Sequence, residues 1–98
     1  MNYTEEKVLE KAKKILKDLQ KEFYIEENIE NVWFQKERSM REDENKTHSC
    51  WIVVIGEPLF GSSIFLTISD ETGEPLYIQS KHKVSEIEKD SDGNYFRK

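Results

Sequence analysis

The chain is poor in the residues that build disulfide frameworks, linkers and membrane spans. Its one cysteine, Cys50, excludes an intramolecular disulfide and favours a reducing compartment. Only two prolines and four glycines occur in 98 residues, and no Pro/Gly/Ser-rich linker divides the chain. No apolar run approaches the roughly 20 residues that span a bilayer, and the amino terminus lacks the regions of a signal peptide. We therefore expect one cytoplasmic domain, residues 1–98.

The chain also has no excess of basic residues over acidic ones. Lys and Arg number 15 against 20 Asp and Glu, which gives a net charge of −5. This balance argues against a nucleic-acid partner, since phosphate binding needs a basic face. It suits a basic protein partner, because opposite potentials steer encounter. The mean hydropathy is low, at −0.81, but the apolar stretch from Cys50 to Ile78 and the 11% aromatic share predict a folded core.

The amino-terminal third predicts an amphipathic helix over about residues 4–23. Thr4 is a candidate N-cap, and the acidic Glu5 and Glu6 suit the positive end of the helix dipole. The opposite polar face carries charges of both signs, so a helix packed on a sheet is favoured over a membrane-surface or calmodulin-target helix. The apolar stripe at helical spacing comprises Val8, Leu9, Ala12, Ile15, Leu16, Leu19 and Phe23.

Four strands are predicted after the helix, over about residues 29–41, 48–56, 63–69 and 75–82. The second is apolar on both faces, as in a central strand. The turn before the fourth ends in Gly73, where a positive φ is expected. After Lys83 the pattern predicts either a strand extension or a helical turn, and a flexible tail is expected over about 90–98. The order of elements predicts an α+β fold with one N-terminal helix packed on a four-stranded antiparallel meander sheet.

Three patterns that carry chemistry in other proteins are incomplete. His48 and Cys50 share a strand face, as a Cys–His dyad would, but a small buried cysteine is the favoured interpretation. Residues 56–63 have the spacing of a phosphate-binding loop, yet Ser62 stands where its lysine is required and a strand follows. Residues 90–93 resemble part of a calcium loop that no later Glu completes. We expect no catalytic residue, no metal ligand and no cofactor.

Candidate partner-binding residues come from three segments. Trp33 lies on a strand that runs into polar sequence. A tryptophan there is more often part of the core, but it is also the best aromatic anchor for an interface. An acidic hairpin connection and a loop with two apolar residues near its tip supply the others. These residues are Glu42, Asp43 and Glu44 in the hairpin, and Leu59 and Phe60 in the loop.

The segment from Cys50 to about His82 resembles one family. It has a Trp-x-Val strand that ends at Gly56, a loop with Gly61-Ser62, a further strand, and the turn Asp70-Glu71-Thr72-Gly73. This order is similar to that of small bacterial immunity proteins of the nuclear-transport-factor-two-like (cystatin-like) fold. The resemblance implies a non-enzymatic protein of polymorphic-toxin or contact-dependent inhibition systems. Such a protein binds and neutralises a cognate toxin, here a basic one such as a nuclease.

Two other hypotheses remain open at this stage. A small-ligand-binding or enzymatic domain would use a pocket on the concave sheet with His48, Cys50 or His82, and a face filled by Trp33, Trp51 and Phe65 would exclude it. A homodimeric adaptor would pair two copies through the open sheet face. In every case we expect no direct contact with nucleic acid and none with a membrane.

Overall fold

The computed structural model describes residues 2–39, 47–57 and 61–98, with the side chains of all of these except 37–39, 47 and 48. Within these ranges one α-helix precedes six β-strands, and two short 3₁₀ turns join the helix to the first strand. No helix in the described ranges has the length and apolar character needed to cross a membrane. The bounds are α1 Glu5–Gln20, β1 Ile29–Ser39, β2 Thr47–Glu57, β3 Ser62–Ser69, β4 Pro75–Gln79, β5 Val84–Lys89 and β6 Tyr95–Arg97.

Helix α1 is capped as the sequence predicts but ends earlier. The Thr4 hydroxyl accepts a hydrogen bond from the Lys7 N–H at 3.2 Å. Lys21 has a left-handed φ of 52° and ends the α-helix, so that residues 21–23 form a 3₁₀ turn. This break changes the helical period, and Phe23 is 78% exposed. Its predicted place on the buried stripe is therefore wrong.

The six strands form one antiparallel meander in the order β1-β2-β3-β4-β5-β6. A helix on an antiparallel sheet is confirmed, but the predicted count of four strands is wrong. Residues after Lys83, including the predicted tail over about 90–98, contain β5 and β6. These strands are short, and each contributes one buried apolar residue to the core, Ile87 and Tyr95. So few apolar residues leave a weak strand pattern in the sequence.

The core lies between α1 and one face of the sheet. On β2, Trp51, Val53 and Ile55 belong to the core cluster that contains the buried residues of α1. Since side chains alternate along a strand, Ile52 and Val54 lie on the other face. Ile52 is only 2% exposed, which confirms that β2 is apolar and shielded on both sides.

A buried carboxylate ties the amino terminus to the sheet. Asp70 is 3% exposed and accepts hydrogen bonds from the backbone N–H groups of Asn2 and Tyr3, at 2.8 and 3.1 Å, and from the Trp51 indole at 2.9 Å. Burial opposes its ionisation, but these three donors hold the pKa of Asp70 below its ordinary value. In the following turn Gly73 has the predicted positive φ, 74°. A Cβ at Gly73 would lie 2.6 Å from the Tyr3 ring.

A second carboxylate joins α1 to the last two strands. Glu74 accepts a 2.6 Å hydrogen bond from the Tyr95 hydroxyl, and its other oxygen contacts the ammonium groups of Lys11 and Lys89 at 3.3 and 3.0 Å. Burial disfavours the charged form, but these donors hold the pKa of Glu74 below its usual range. The cluster helps to explain why a polar carboxyl-terminal segment joins the sheet.

Replacing Glu74 with glutamine should lower the free energy of unfolding by about 1 kcal/mol, because one neutral amide oxygen replaces a carboxylate shared by three donors. Urea unfolding at pH 7 measures the change. Glu71→Gln is the matched control, since Glu71 is exposed in the adjacent turn. Equal effects of the two substitutions would contradict the structural role of the cluster.

Candidate partner-binding face

The sheet has an open face, opposite α1, that is apolar at its centre. Cross-strand pairing places side chains in rows on this face. One row runs across five strands, and a second lies beside it. The first row is Trp33, Ile52, Thr67, Tyr77 and Glu86, and the second is Asn31, Val54, Phe65, Gln79 and Val84.

Trp33 and Phe65 are two of the accessible aromatic side chains of the open face, which also include Phe96 on β6. Trp33 is 40% exposed and Phe65 is 39% exposed. Between and beside them Cys50, Ile52 and Thr67 are at most 2% exposed. The strand spacing and the two-residue offset place Trp33 and Phe65 about 12 Å apart. They form two separate apolar anchors, and the hydrogen-bonded sheet fixes their relative positions.

Carboxylates lie at the margin of the open face. The Glu30 carboxyl group lies over Gly56, at 2.7 Å from the position a Cβ would take there. Glu86 lies opposite Tyr77, and Glu88 lies on β5 in the same alternation. No Lys or Arg occupies an open-face strand position among the side chains that the structure describes. Beyond β6, Lys98 comes within 3.7 Å of Glu86 and 3.6 Å of Glu88.

One of the two anchors, Trp33, is among the candidate contacts named from the sequence, although a core position was favoured there. Trp33 projects from β1 and is exposed enough to contact a partner. Phe65 was not predicted as a contact, because it stands between the apolar Ile64 and Leu66 and a continuous apolar run does not show which residues a helix covers. The other predicted contacts fall outside the described residues; they are Glu42, Asp43, Glu44, Leu59 and Phe60.

Cys50 and His82, two of the residues considered for nucleophilic chemistry, lie on separate elements of the described chain. Cys50 is fully buried on the open face, as expected for a small core residue, whereas the side chain of His48 lies outside the described set. His82 is exposed between β4 and β5. Trp51, considered as a residue of the concave face, instead packs on the α1 side, with its ring 5.3 Å from that of Phe34.

Loop segments considered for ion or phosphate binding have local structural roles. The Asp90 carboxylate accepts hydrogen bonds from the backbone N–H groups of Asp92 and Asn94, both at 2.9 Å, and so closes the turn between β5 and β6. Gly61, with φ 62°, leads directly into β3 rather than into a helix. Among the described residues no group of three or more His, Cys, Asp or Glu could hold a metal ion.

One cleft lies at the carboxyl end of α1. It has a volume of about 550 Å³ between the end of α1 and β6, and it is lined by charges of both signs, among them Lys17, Asp18 and Arg97. A smaller cleft of about 110 Å³ lies beside Tyr3 and the β3–β4 turn. Neither cleft is lined by Cys50 or His82, so neither matches the small-ligand pocket considered from the sequence.

Comparison of the chain with family models, with curated proteins and with solved structures finds no match.

Proposed function

We propose that this protein is a binding protein of the immunity or inhibitor type, which neutralises a cognate basic toxin domain in the cytoplasm by covering it. The observation that supports this proposal most directly is the open face, with Trp33 exposed on its edge strand, Phe65 exposed nearer its centre and carboxylates at its margin. The cystatin-like fold implied by the resemblance belongs to the same proposal.

The chemistry of the open face suggests what a partner must offer. Exposed aromatic side chains on a rigid sheet are typical interface anchors, since they bury much apolar area and lose little conformational entropy. A rim that carries Glu30, Glu86 and Glu88 favours a partner with Lys or Arg around an apolar contact. The net charge of −5 would also speed encounter with a basic toxin.

Removing one anchor should weaken partner binding strongly. We expect Phe65→Ala to raise the dissociation constant by about thirtyfold, the range of interface hot spots. The partner is first isolated from a lysate of the native host by its retention on the immobilised protein. Calorimetry then measures the affinity of the wild type and of each variant for the purified partner. Phe23→Ala is the matched control, because Phe23 is an exposed phenylalanine of the turn after α1.

Two outcomes would contradict this proposal. Equal affinities of the Phe65→Ala and Phe23→Ala variants would place the interface elsewhere. If the purified partner has a toxic activity and the protein does not inhibit it at equimolar concentration, the immunity role is wrong even though binding occurs. Binding that weakens steeply between 50 and about 200 mM salt would support the electrostatic part of the proposal.

A further inference from the structure

The cleft at the carboxyl end of α1 brings together cationic residues from two distant parts of the chain. It has a volume of about 550 Å³ and is lined by Lys17 and Lys21, at the end of the helix, and by Arg97, on β6. Small-ligand sites in proteins have volumes of roughly 300–1,000 Å³. The cleft is therefore large enough for a small molecule, and the charges that line it determine which kind.

The two carboxylates that line the cleft are engaged by the protein itself. Asp18 contacts the Lys14 ammonium group at 2.8 Å and accepts a hydrogen bond from the Tyr95 N–H at 3.0 Å. Burial opposes its ionisation, but these donors hold the pKa of Asp18 below its ordinary value. Asp90 accepts two backbone N–H groups of its own turn. Both carboxylates therefore have partners other than the cations of the cleft.

The three cations have no carboxylate partner. Lys17, Lys21 and Arg97 form no ion pair among the side chains that the structure describes, although the Lys17 ammonium group lies 5.7 Å from the centre of the Tyr24 ring. The negative end of the helix dipole favours a cation in the last turn, which accounts for Lys17. It does not account for Arg97, which comes from β6.

Lys21 has a backbone conformation that normally belongs to glycine. Its φ is 52° and its ψ is −120°, outside the regions that residues with a Cβ readily adopt. Glycine is the usual residue where a helix ends with a positive φ. A lysine at this position therefore costs conformational free energy, and backbone strain of this kind is concentrated at ligand and active sites. The strain is a second indication of a binding role, and it is independent of the charge.

We propose that this cleft binds a small molecule that carries a diphosphate group, which Lys17, Lys21 and Arg97 hold together. Phosphate oxygens form strong charge-assisted hydrogen bonds with guanidinium and ammonium groups. A diphosphate has two linked anionic groups, so it can contact cations on both the helix side and the β6 side of the cleft. Inorganic pyrophosphate and nucleoside diphosphates share this group. The site does not use Trp33 or Phe65, so its test is separate from that of the proposed binding function.

Calorimetric titration of the full chain with inorganic pyrophosphate tests the site directly. At about 20 mM salt, where exposed charges are weakly screened, we expect a dissociation constant on the order of 0.1–1 mM. A parallel titration with ADP distinguishes the two sources. Binding of ADP at least as tight as that of pyrophosphate would assign the site to nucleotides, and binding of pyrophosphate alone would assign it to the inorganic anion. No saturable binding of either anion up to about 10 mM would overturn the proposal.

Single substitutions separate a built site from general surface charge. Lys17→Gln and Arg97→Gln should each weaken pyrophosphate binding about fivefold, because each removes one cation that contacts the anion. Lys81→Gln is the matched control, since Lys81 is an exposed cation between β4 and β5, and it should leave the affinity unchanged. Equal effects of all three substitutions would show that the anion responds only to total charge, and the proposed site would then be wrong.

Lys21→Gly should change binding and stability in opposite directions. Loss of the ammonium group should weaken pyrophosphate binding about fivefold, whereas glycine adopts the positive φ without strain and should raise the melting temperature by about 4 °C. Glu22→Gly is the control for stability, because Glu22 has no positive φ, and it should lower the melting temperature. A Lys21→Gly variant that binds pyrophosphate as tightly as the wild type would contradict the role of Lys21 in the site.

Discussion

Replacing Asp70 with asparagine should lower the free energy of unfolding by about 3 kcal/mol at pH 7. The carboxylate accepts three N–H donors in a nearly buried site. An asparagine has a single side-chain oxygen, and its NH₂ group would face donors rather than acceptors. For a domain of about 100 residues, this loss corresponds to a melting temperature lower by about 15 °C. Urea and thermal unfolding measure both quantities.

The effect of Asp70 depends on pH in a direction that the structure predicts. Its pKa in the folded protein is below the ordinary value of 3.8. The carboxylate therefore contributes its full stability above that ordinary value and loses it as the pH falls through the folded pKa. The stability difference between wild type and the Asp70→Asn variant should shrink at pH 3 and below.

A matched control separates the buried site from acidity in general. Asp92 is exposed in the β5–β6 turn, and Asp92→Asn removes the same charge. We expect Asp92→Asn to change the free energy of unfolding by less than about 0.5 kcal/mol. A comparable loss in both variants, or an unchanged difference between wild type and Asp70→Asn from pH 7 to pH 3, would refute the role of Asp70 as the anchor of the amino terminus.

Leu66→Ala should destabilise the fold by about 3–4 kcal/mol. Leu66 is fully buried on β3, facing α1, where it lies opposite Val53 and Ile78. Removing three buried carbon atoms loses transfer free energy and leaves a cavity that a well-packed core cannot close. Chemical unfolding with an unchanged m-value would show that the loss concerns stability rather than the unfolded state.

The adjacent residue is a sharp internal control. Phe65 lies on the same strand, but it projects to the open face and is 39% exposed. We expect Phe65→Ala to cost about 1 kcal/mol or less in stability and to act mainly on partner binding. If Phe65→Ala destabilises the protein as much as Leu66→Ala, the open face is a second core rather than a contact surface.

Much of the fold follows from local patterns. Residue type and spacing are enough to predict the capping hydroxyl of Thr4, the apolar strand β2 and the positive φ of Gly73. The break at Lys21 is not, because a left-handed lysine has no signal in the sequence. Strand β6 was missed, and β5 was predicted only as one alternative, because their attachment depends on contacts distant along the chain, such as that of the Tyr95 hydroxyl with Glu74.

The candidate site was predictable in part. Trp33 stood out because a large aromatic residue preceded polar sequence, and its exposure is a property of an edge strand. Phe65 could not be identified as a contact residue from the sequence. It lies in a continuous apolar run, and such a run does not show which side of the strand the helix covers. Glu30 could not be assigned to the open face from alternation alone, because the register shift beside it changes the pattern.

By itself the sequence determined the α+β class, the amino-terminal helix and the antiparallel meander, because helical and strand periodicities are local properties of the chain. It also determined the acidic net charge. Only the tertiary structure decided that the sheet has six strands and which of its faces α1 covers. That choice depends on packing between distant segments, and it leaves Phe65 exposed while Leu66 is buried.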